Sequence, residues 1–268
     1  MRRIVSGLAL ALALAATSSQ ARGDDQSDEQ AKAEAQMGDQ LYHELVQQGE
    51  VVQSSPLYDV LRPIAEPIAR AAETKYHAPI RFYIVHEAQP NAFAAPGGNV
   101  YVVDSLLYFV HNAEELAGTL CHETSHLIYH DSYHKLQEQQ HVAGRVVGAS
   151  ILLGPRLGTV LALGAIGQLD QKHYSRDVEE RADLTGADTC AAAGSNPWGL
   201  VWLFRDFARA DLKQPPEILS DHPDDQHRIA ALEQHLRADP ATFGRYRDDS
   251  RRAKAMVMPR DQAEQFVR

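Results

Sequence analysis

The sequence predicts an α+β fold that is mostly helical and contains a small antiparallel sheet. The 268 residues are 44% hydrophobic and 23% charged, an ordinary globular composition that suffices for one sizeable core. Apolar residues recur at helical spacing along several segments. Two runs rich in β-branched and aromatic residues, 80–85 and 99–104, are typical of strands. The turn-like segment 91–98 between them favours an antiparallel pair.

Each predicted helix has an apolar face, and most have residues that typically begin or end a helix. Proline follows Ser55 at the start of one helix, and Asn112 and Ser175 have side chains suited to N-caps. Gly194 is expected to close the helix that follows Ser175. The helices are expected at about 37–48, 55–75, 112–127, 175–194, 198–207 and 224–237.

The N-terminal residues resemble a secretory signal peptide. A basic start is followed by an apolar run at 4–16 and by Ser19-Gln20-Ala21, which fits the small-x-small cleavage rule. An uncleaved membrane anchor is the alternative. The expected organisation is a signal peptide at 1–21, an acidic disordered linker at 22–36, one folded domain at 37–240 and a charged tail at 241–268. This organisation predicts export to the periplasm. The sequence has no cysteine near the predicted cleavage point, so a lipoprotein is not expected.

Charge and composition narrow the classes of partner. The formal net charge is −10 and no Lys/Arg stripe is present, so the sequence predicts no nucleic-acid partner. The apolar, glycine-rich segment 142–168 is interrupted by Arg145 and Pro155, which favours a helical hairpin and makes it a candidate for peripheral membrane contact. Cys121 and Cys190 could pair in an oxidising compartment, but two buried, unpaired thiols are expected.

The segment LCHETSHLIYH at 120–130 carries the strongest chemical signal. His122 and His126 lie four residues apart on a predicted helix, so both imidazoles project from one face and could bind one Zn²⁺ ion. Glu123 lies about 100° round that helix, where it could take a proton from water without binding the metal. The alternative is a solvated helix that is rich in histidine.

A metal site needs a further ligand from another segment, because a catalytic zinc takes three protein ligands. Glu179 and Asp183 are also four residues apart on a predicted helix. Glu179 could bind the metal, and Asp183 could accept the second ring N–H of a ligating histidine. Glu180 is the rival ligand, although no carboxylate lies four residues after it.

Four separated motifs resemble the zinc metallopeptidase family that includes the CAAX prenyl protease, HtpX and the periplasmic proteases BepA and LoiP, and most closely its BepA/LoiP-like branch. They are NAFAAPGGNVYV, EELAGTLCHETSH, YSRDVEERAD and SDHPDDQHRI, in the order that the family shows. The resemblance covers about residues 37–236. It implies a zincin-like domain with the small sheet beside the His-Glu-x-x-His helix.

The resemblance also assigns roles to residues. It implies that His122, His126 and Glu179 bind one zinc ion per chain and that Glu123 is the catalytic base. It also implies that Arg228 helps to stabilise the oxyanion, that Asp183 supports a metal ligand, and that His222 can approach the metal and block it. It implies that an extended peptide adds to the strand edge formed by Asn99, Val100, Tyr101 and Val102. Many relatives have a histidine where this chain has Asp131, and neither Asp131 nor its neighbour His130 is given a role.

The predicted function is that of a zinc metalloendopeptidase of the gluzincin type in the bacterial periplasm. Its expected substrates and partners are extended, misfolded or unassembled envelope proteins, by resemblance alone. The first alternative is a chaperone-like assembly factor that holds polypeptides with little turnover. The second is a regulatory metal-binding protein without a peptide-binding edge.

Overall fold

The computed structural model describes residues 6–138, 174–209 and 226–259, with side chains from residue 27 onward and excluding that of Arg209. The predicted hairpin at 142–168 and His222 lie outside the described residues. The elements are α1 (Ser6–Gln48), α2 (Leu57–Ala72), β1 (Arg81–Val85), β2 (Ala92–Ala95), β3 (Asn99–Val103), α3 (Asp104–Phe109), α4 (Ala113–Ile128), α5 (Arg176–Ala192), α6 (Trp198–Arg209), α7 (Gln226–Ala238) and α8 (Pro240–Phe243). A further helical segment covers 131–138.

Helix α4 forms the centre of the fold and is almost entirely buried. It packs against α5, α6 and α2, and its other side contacts β2 and β3. Two glycines permit the close approach of α4 and α6, because a Cβ at Gly118 would lie 2.6 Å from Leu200 N and one at Gly199 would lie 1.9 Å from Glu114 O. The mostly helical α+β prediction is therefore confirmed.

The sheet is mixed rather than antiparallel, with strand order β1-β3-β2. β1 pairs with β3 in parallel, and β2 pairs with β3 antiparallel through a turn that contains Gly97 and Gly98 at φ +81° and +86°. The predicted antiparallel pair of β1 and β3 is thus wrong. The Ala92–Ala95 segment, expected to be part of a turn, forms the intervening strand although alanine has low strand propensity.

The position of β3 corrects the predicted substrate edge. Asn99, Val100, Tyr101 and Val102 lie in β3, which is hydrogen-bonded to a strand on each side. A peptide cannot add to a strand whose main-chain groups are already paired on both sides. Among the described strands, the edge on the α4 side of the sheet belongs to β2 instead.

Both ends of the chain contribute more structure than expected. Residues 22–36, expected to be a disordered linker, lie within α1, and Glu34 is 1% exposed. Beyond residue 240, Phe243 is buried in the main core and Met258 packs against it, so part of the expected tail belongs to the folded body. The proposed signal peptide and domain limits stay predictions. Among the described helices, none has the length and apolar character needed to cross a membrane.

A disulfide joins the two helices that carry the predicted metal ligands. Cys121 on α4 and Cys190 on α5 are bonded, with Cα atoms 5.8 Å apart. The expectation of two unpaired thiols is therefore wrong. The side chains meet because α4 and α5 pack closely, as shown at Gly186, where a Cβ would lie 3.1 Å from His122 N.

Candidate metal centre

Local sequence fixes the start of both helices that build the site. The Asn112 side chain accepts a hydrogen bond from Glu115 N–H (3.0 Å), while the Glu115 carboxylate accepts from Asn112 Nδ2 and from His111 N–H. This reciprocal arrangement satisfies amides that the first turn of a helix leaves without partners. The Ser175 side chain similarly accepts from Val178 N–H (3.4 Å). Both predicted N-caps are confirmed.

Three buried ligand atoms converge between α4 and α5. Nε2 of His122 lies 3.2 Å from Nε2 of His126, and Glu179 carboxylate oxygens lie 3.4 Å and 3.8 Å from these two nitrogens. A tetrahedral ion with ligands at 2.0–2.1 Å holds two ligand atoms about 3.3 Å apart. The two imidazoles and the carboxylate therefore fit a zinc ion in both chemistry and spacing.

A carboxylate orients each histidine from the opposite ring nitrogen. Nδ1 of His122 lies 2.9 Å from Asp183 Oδ1, and Nδ1 of His126 lies 2.9 Å from Asp131 Oδ2. A proton held between Nδ1 and a carboxylate leaves the Nε2 lone pair for a metal ion. The expected contact of Asp183 is present, and Asp131 makes the matching contact that the sequence interpretation did not foresee.

An arginine supports each of these carboxylates. Arg228, which is 2% exposed, donates from Nε and Nη2 to Asp183 at 2.8 Å and 2.7 Å, and its Nη1 lies 3.0 Å from Glu179 Oε2. Arg181 donates to Asp131 from the other side of the site. The structure thus places Arg228 beside the site as expected, with its guanidinium engaged by two carboxylates.

Glu123 lies beside the ligands, with its carboxylate directed towards β2. It is 1% exposed, and its Oε2 accepts a hydrogen bond from Ala94 N–H (3.0 Å). Burial raises the pKa of Glu123 to about 8 and the charge of Glu179 adds to the rise, although His122 opposes it. A divalent cation at the three ligands would also oppose it, because a nearby positive charge favours the carboxylate.

The two histidines differ in their electrostatic environment. Burial lowers the pKa of both imidazoles. For His122 the hydrogen bonds and charges of Asp183 and Glu179 outweigh burial and raise the pKa to about 10, whereas burial prevails for His126 and its pKa is lowered. A metal ion beside Nε2 would oppose the rise in pKa at His122, because a nearby positive charge disfavours the imidazolium.

The structure distinguishes Glu179 from its rival Glu180. Glu179 is 1% exposed and faces the histidines. The side chain of Glu180 is 38% exposed, and its carboxylate lies 3.6 Å from Nδ1 of the exposed His227. The structure thus brings together His122, His126, Glu179, Glu123, Asp183 and Arg228.

Asp131 and Tyr174 were missed by the sequence interpretation. The Tyr174 ring stacks on the His126 ring at a centroid distance of 4.3 Å, and Lys135 Nζ lies 4.4 Å from the Tyr174 centroid. Asp131 follows His130, whose φ of +56° turns the chain back after α4. The sequence signal for Asp131 was its position directly after the helix that carries the motif. Residue spacing could not predict the left-handed conformation of His130, which turns Asp131 back towards His126. Tyr174 gave no signal beyond its position before Ser175.

Comparison with known proteins agrees with this geometry. The family model for peptidase family M48 matches residues 58–236. The chain is 31% identical over 162 residues to the Beta-barrel assembly-enhancing protease of Yersinia pestis, which covers 57% of this chain and 33% of that protein. The protein of the same name from Escherichia coli (strain K12) is 28% identical over 208 residues, covering 74% and 42%.

A mitochondrial relative shows a comparable level of identity. The Mitochondrial metalloendopeptidase OMA1 of Schizosaccharomyces pombe is 29% identical over 158 residues, covering 58% of this chain and 46% of that protein. The matched regions therefore span less than half the length of these relatives. The family match covers more than half of this chain and includes both helices that carry the buried ligands. The chain belongs to peptidase family M48, a family of metallopeptidases.

Proposed function

We propose that the chain is a zinc-dependent metalloendopeptidase of the bacterial periplasm that cleaves extended or misfolded polypeptides. The observation that carries the proposal is the convergence of His122, His126 and Glu179, with Glu123 beside them. Two imidazoles and one carboxylate are a donor set of catalytic zinc sites, which keep a fourth position for water or substrate.

The metal and the protein residues divide the chemistry. When bound, zinc would polarise the scissile carbonyl and acidify water. Glu123 would take the proton of the attacking water on its carboxylate and deliver it to the leaving amine. Asp183 and Asp131 would hold the two imidazoles in the tautomer whose Nε2 binds the metal.

Arg228 has two candidate roles in this proposal. Its predicted role of stabilising the oxyanion stays a prediction. Its contacts with Asp183 and Glu179 support a positioning role, because one guanidinium fixes the orienting carboxylate and the metal-binding carboxylate together.

The β2 edge is the proposed site for the substrate main chain. Ala94 N–H points away from β3 and towards Glu123, so the outward side of this strand faces the metal centre. An extended peptide that adds to β2 by main-chain hydrogen bonds would place a scissile bond near Glu123. Main-chain hydrogen bonding of this kind would select extended chains.

The compartment and the substrates are proposed on separate grounds. The Cys121–Cys190 disulfide supports an oxidising compartment, in agreement with the predicted signal peptide. The relatives' name describes proteases that enhance β-barrel assembly. We therefore propose that unfolded or unassembled envelope proteins are the substrates of this chain.

The Glu123→Gln variant tests the proposed chemistry. It should abolish casein cleavage while zinc stays bound, because the amide cannot accept the water proton. Glu180→Gln is the matched control and should retain both cleavage and zinc, since Glu180 faces His227 rather than the metal centre. Undiminished cleavage by the Glu123→Gln variant would refute the assigned role.

The chaperone-like alternative is favoured by one observation, the nearly complete burial of the site. His122, His126, Glu123 and Glu179 are at most 4% exposed. In this alternative the protein would hold polypeptides with little turnover, because the resting metal centre is closed. His222, which is predicted to block the metal, is the residue to substitute. If neither the wild type nor the His222→Ala variant cleaves casein while both bind unfolded polypeptide, the alternative replaces the peptidase proposal.

A further inference from the structure

A second group of metal-binding side chains lies outside the catalytic centre. It consists of Glu34 on α1, His77 in the turn after α2 and His130 in the turn after α4. Nδ1 of His130 lies 2.7 Å from Glu34 Oε1, and Nε2 of His77 lies 3.9 Å from Glu34 Oε2. One ligand atom from each residue lies within 4.8 Å of the other two.

The carboxylate of this group is buried and held in place. Glu34 is 1% exposed and accepts hydrogen bonds from Tyr76 Oη and Gln30 Nε2, both at 2.9 Å. Burial raises the pKa of Glu34, but the hydrogen bonds from His130, Gln30 and Tyr76 outweigh burial and keep the pKa below its ordinary value. A fixed negative charge is therefore directed at the two histidines.

The two imidazoles are stacked and accessible to solvent. Their ring centroids lie 5.3 Å apart with an angle of 19° between the planes. The side chains of His77 and His130 are 29% and 28% exposed. Water and a small ion can reach the group, whereas the charge of Glu34 is kept from solvent.

The backbone of His130 is strained in a way that serves this group. Its φ of +56° lies in the left-handed region, which is unfavourable for a residue other than glycine. Glycine or asparagine adopts this conformation at lower cost. The strained turn directs the histidine ring onto Glu34 of a distant helix, whereas a glycine would only turn the chain.

We propose that Glu34, His77 and His130 form a second binding site for a divalent transition metal of the zinc class. A carboxylate and two imidazoles suit such an ion, with water as a further ligand. Ligand atoms of a tetrahedral zinc site lie about 3.3 Å apart, and one atom from each of the three residues already lies within 4.8 Å of the other two, so these atoms need to approach one another by at most about 1.5 Å. Side-chain rotation supplies movements of that size.

A metal ion at this second site would fix the position of α1 relative to the neighbouring turns. Near Glu34, α1 packs against the turn between β2 and β3, where a Cβ at Gly38 would lie 2.3 Å from Pro96 O, and Asn99 Nδ2 donates to Gly38 O. The site also adjoins Asp131, which contacts His126 of the catalytic centre. Metal bound there would join α1, the turn after α2 and the turn after α4.

Zinc binding to the metal-free full-length chain tests the proposal. In equilibrium dialysis, the wild type should bind two equivalents, and the His77→Ala and His130→Ala variants should each bind one. His134→Ala, which removes an exposed histidine from the same segment, should still bind two. Glu179→Gln should lose the catalytic equivalent and keep the second, so failure of one site is distinguishable from failure of the other.

Amide hydrogen exchange on the wild type provides a readout that needs no substitution. The second equivalent of zinc should slow exchange in α1 around Glu34 and in the turn around His130. Two results would overturn the proposal. The first is a wild-type chain that binds only one equivalent of zinc and loses it in the Glu179→Gln variant. The second is a second equivalent of zinc that stays bound in both the His77→Ala and the His130→Ala variants. In either case the group would be only an ion pair between Glu34 and His130.

Discussion

Asp183 and Asp131, the two carboxylates that contact the proposed metal-binding histidines, should differ sharply in their effect on stability. Asp183 is 1% exposed and forms an ion pair with Arg228, which is 2% exposed. Removing one partner of a buried pair costs about 3–5 kcal/mol, because the other charge stays buried. Since Arg228 keeps its contact with Glu179, we expect Asp183→Asn to lower the free energy of unfolding by about 3 kcal/mol.

Asp131→Asn should have a much smaller effect on folding. The side chain of Asp131 is 9% exposed, but the side chain of its partner Arg181 is 40% exposed, so water screens this pair and we expect it to contribute about 1 kcal/mol. Both substitutions should nevertheless weaken zinc binding by about 10- to 100-fold, because each removes the anionic partner of a ligating histidine. Metal affinity and folding stability should therefore respond differently to the two substitutions.

Urea unfolding of the metal-free chains measures the first effect, and competition with a chromophoric chelator measures the second. Asp188→Asn is the matched control on α5, because Asp188 is 49% exposed and pairs only with His235 among the contacts described. It should change neither quantity. Equal losses of stability in the Asp183 and Asp131 variants, or unchanged zinc affinity in the Asp131 variant, would refute the reasoning.

Three further predictions concern the folded body. Reduction of the Cys121–Cys190 bond, which links residues 69 apart in sequence, should lower the free energy of unfolding by about 4 kcal/mol; a loss below 1 kcal/mol in urea unfolding would contradict this. Gly199→Ala should lower the free energy of unfolding by about 3 kcal/mol, because the added Cβ would lie 1.9 Å from Glu114 O. Gly194→Ala should lower it by about 1 kcal/mol, because the space around Gly194 is open and only its φ of +80° is unfavourable for alanine. Equal melting temperatures of the two variants would contradict the packing argument. Burial raises the pKa of Asp248 and Glu233, but Arg205 outweighs burial and holds both below their ordinary values of 3.8 and 4.5. The contribution of these two carboxylates to the free energy of unfolding is therefore complete above pH 4.5 and is lost as the pH falls through their lowered pKa values. Arg205→Met should reduce this loss of stability in acid. An unchanged pH profile of unfolding in this variant would contradict the assignment.

The parts of the site that could be predicted from sequence are those set by local structure. The spacing of His122 and His126, and the N-caps Asn112 and Ser175, depend on residues within a few positions of one another. Helix geometry alone converts such spacing into one face of α4. Asp183 could be assigned by the same rule because it lies one turn after Glu179 on α5.

The features that could not be predicted depend on contacts between distant segments. The strand formed by Ala92–Ala95 has weak intrinsic preference and is stabilised by pairing with β3, so propensity did not reveal it. The missed strand in turn left β3 at the expected edge of the sheet. The Cys121–Cys190 bond depends on how closely α4 and α5 approach. The absence of a Cβ at Gly186 permits this approach, but a glycine in the sequence does not predict it.

Anomalous diffraction at the zinc edge, from crystals of the wild-type chain, would locate the metal ion. We expect a peak within about 2.0–2.2 Å of His122 Nε2, His126 Nε2 and a Glu179 carboxylate oxygen. A zinc-loaded crystal without a peak at these three atoms, or with the Glu179 carboxylate beyond bonding distance of the ion, would contradict this prediction.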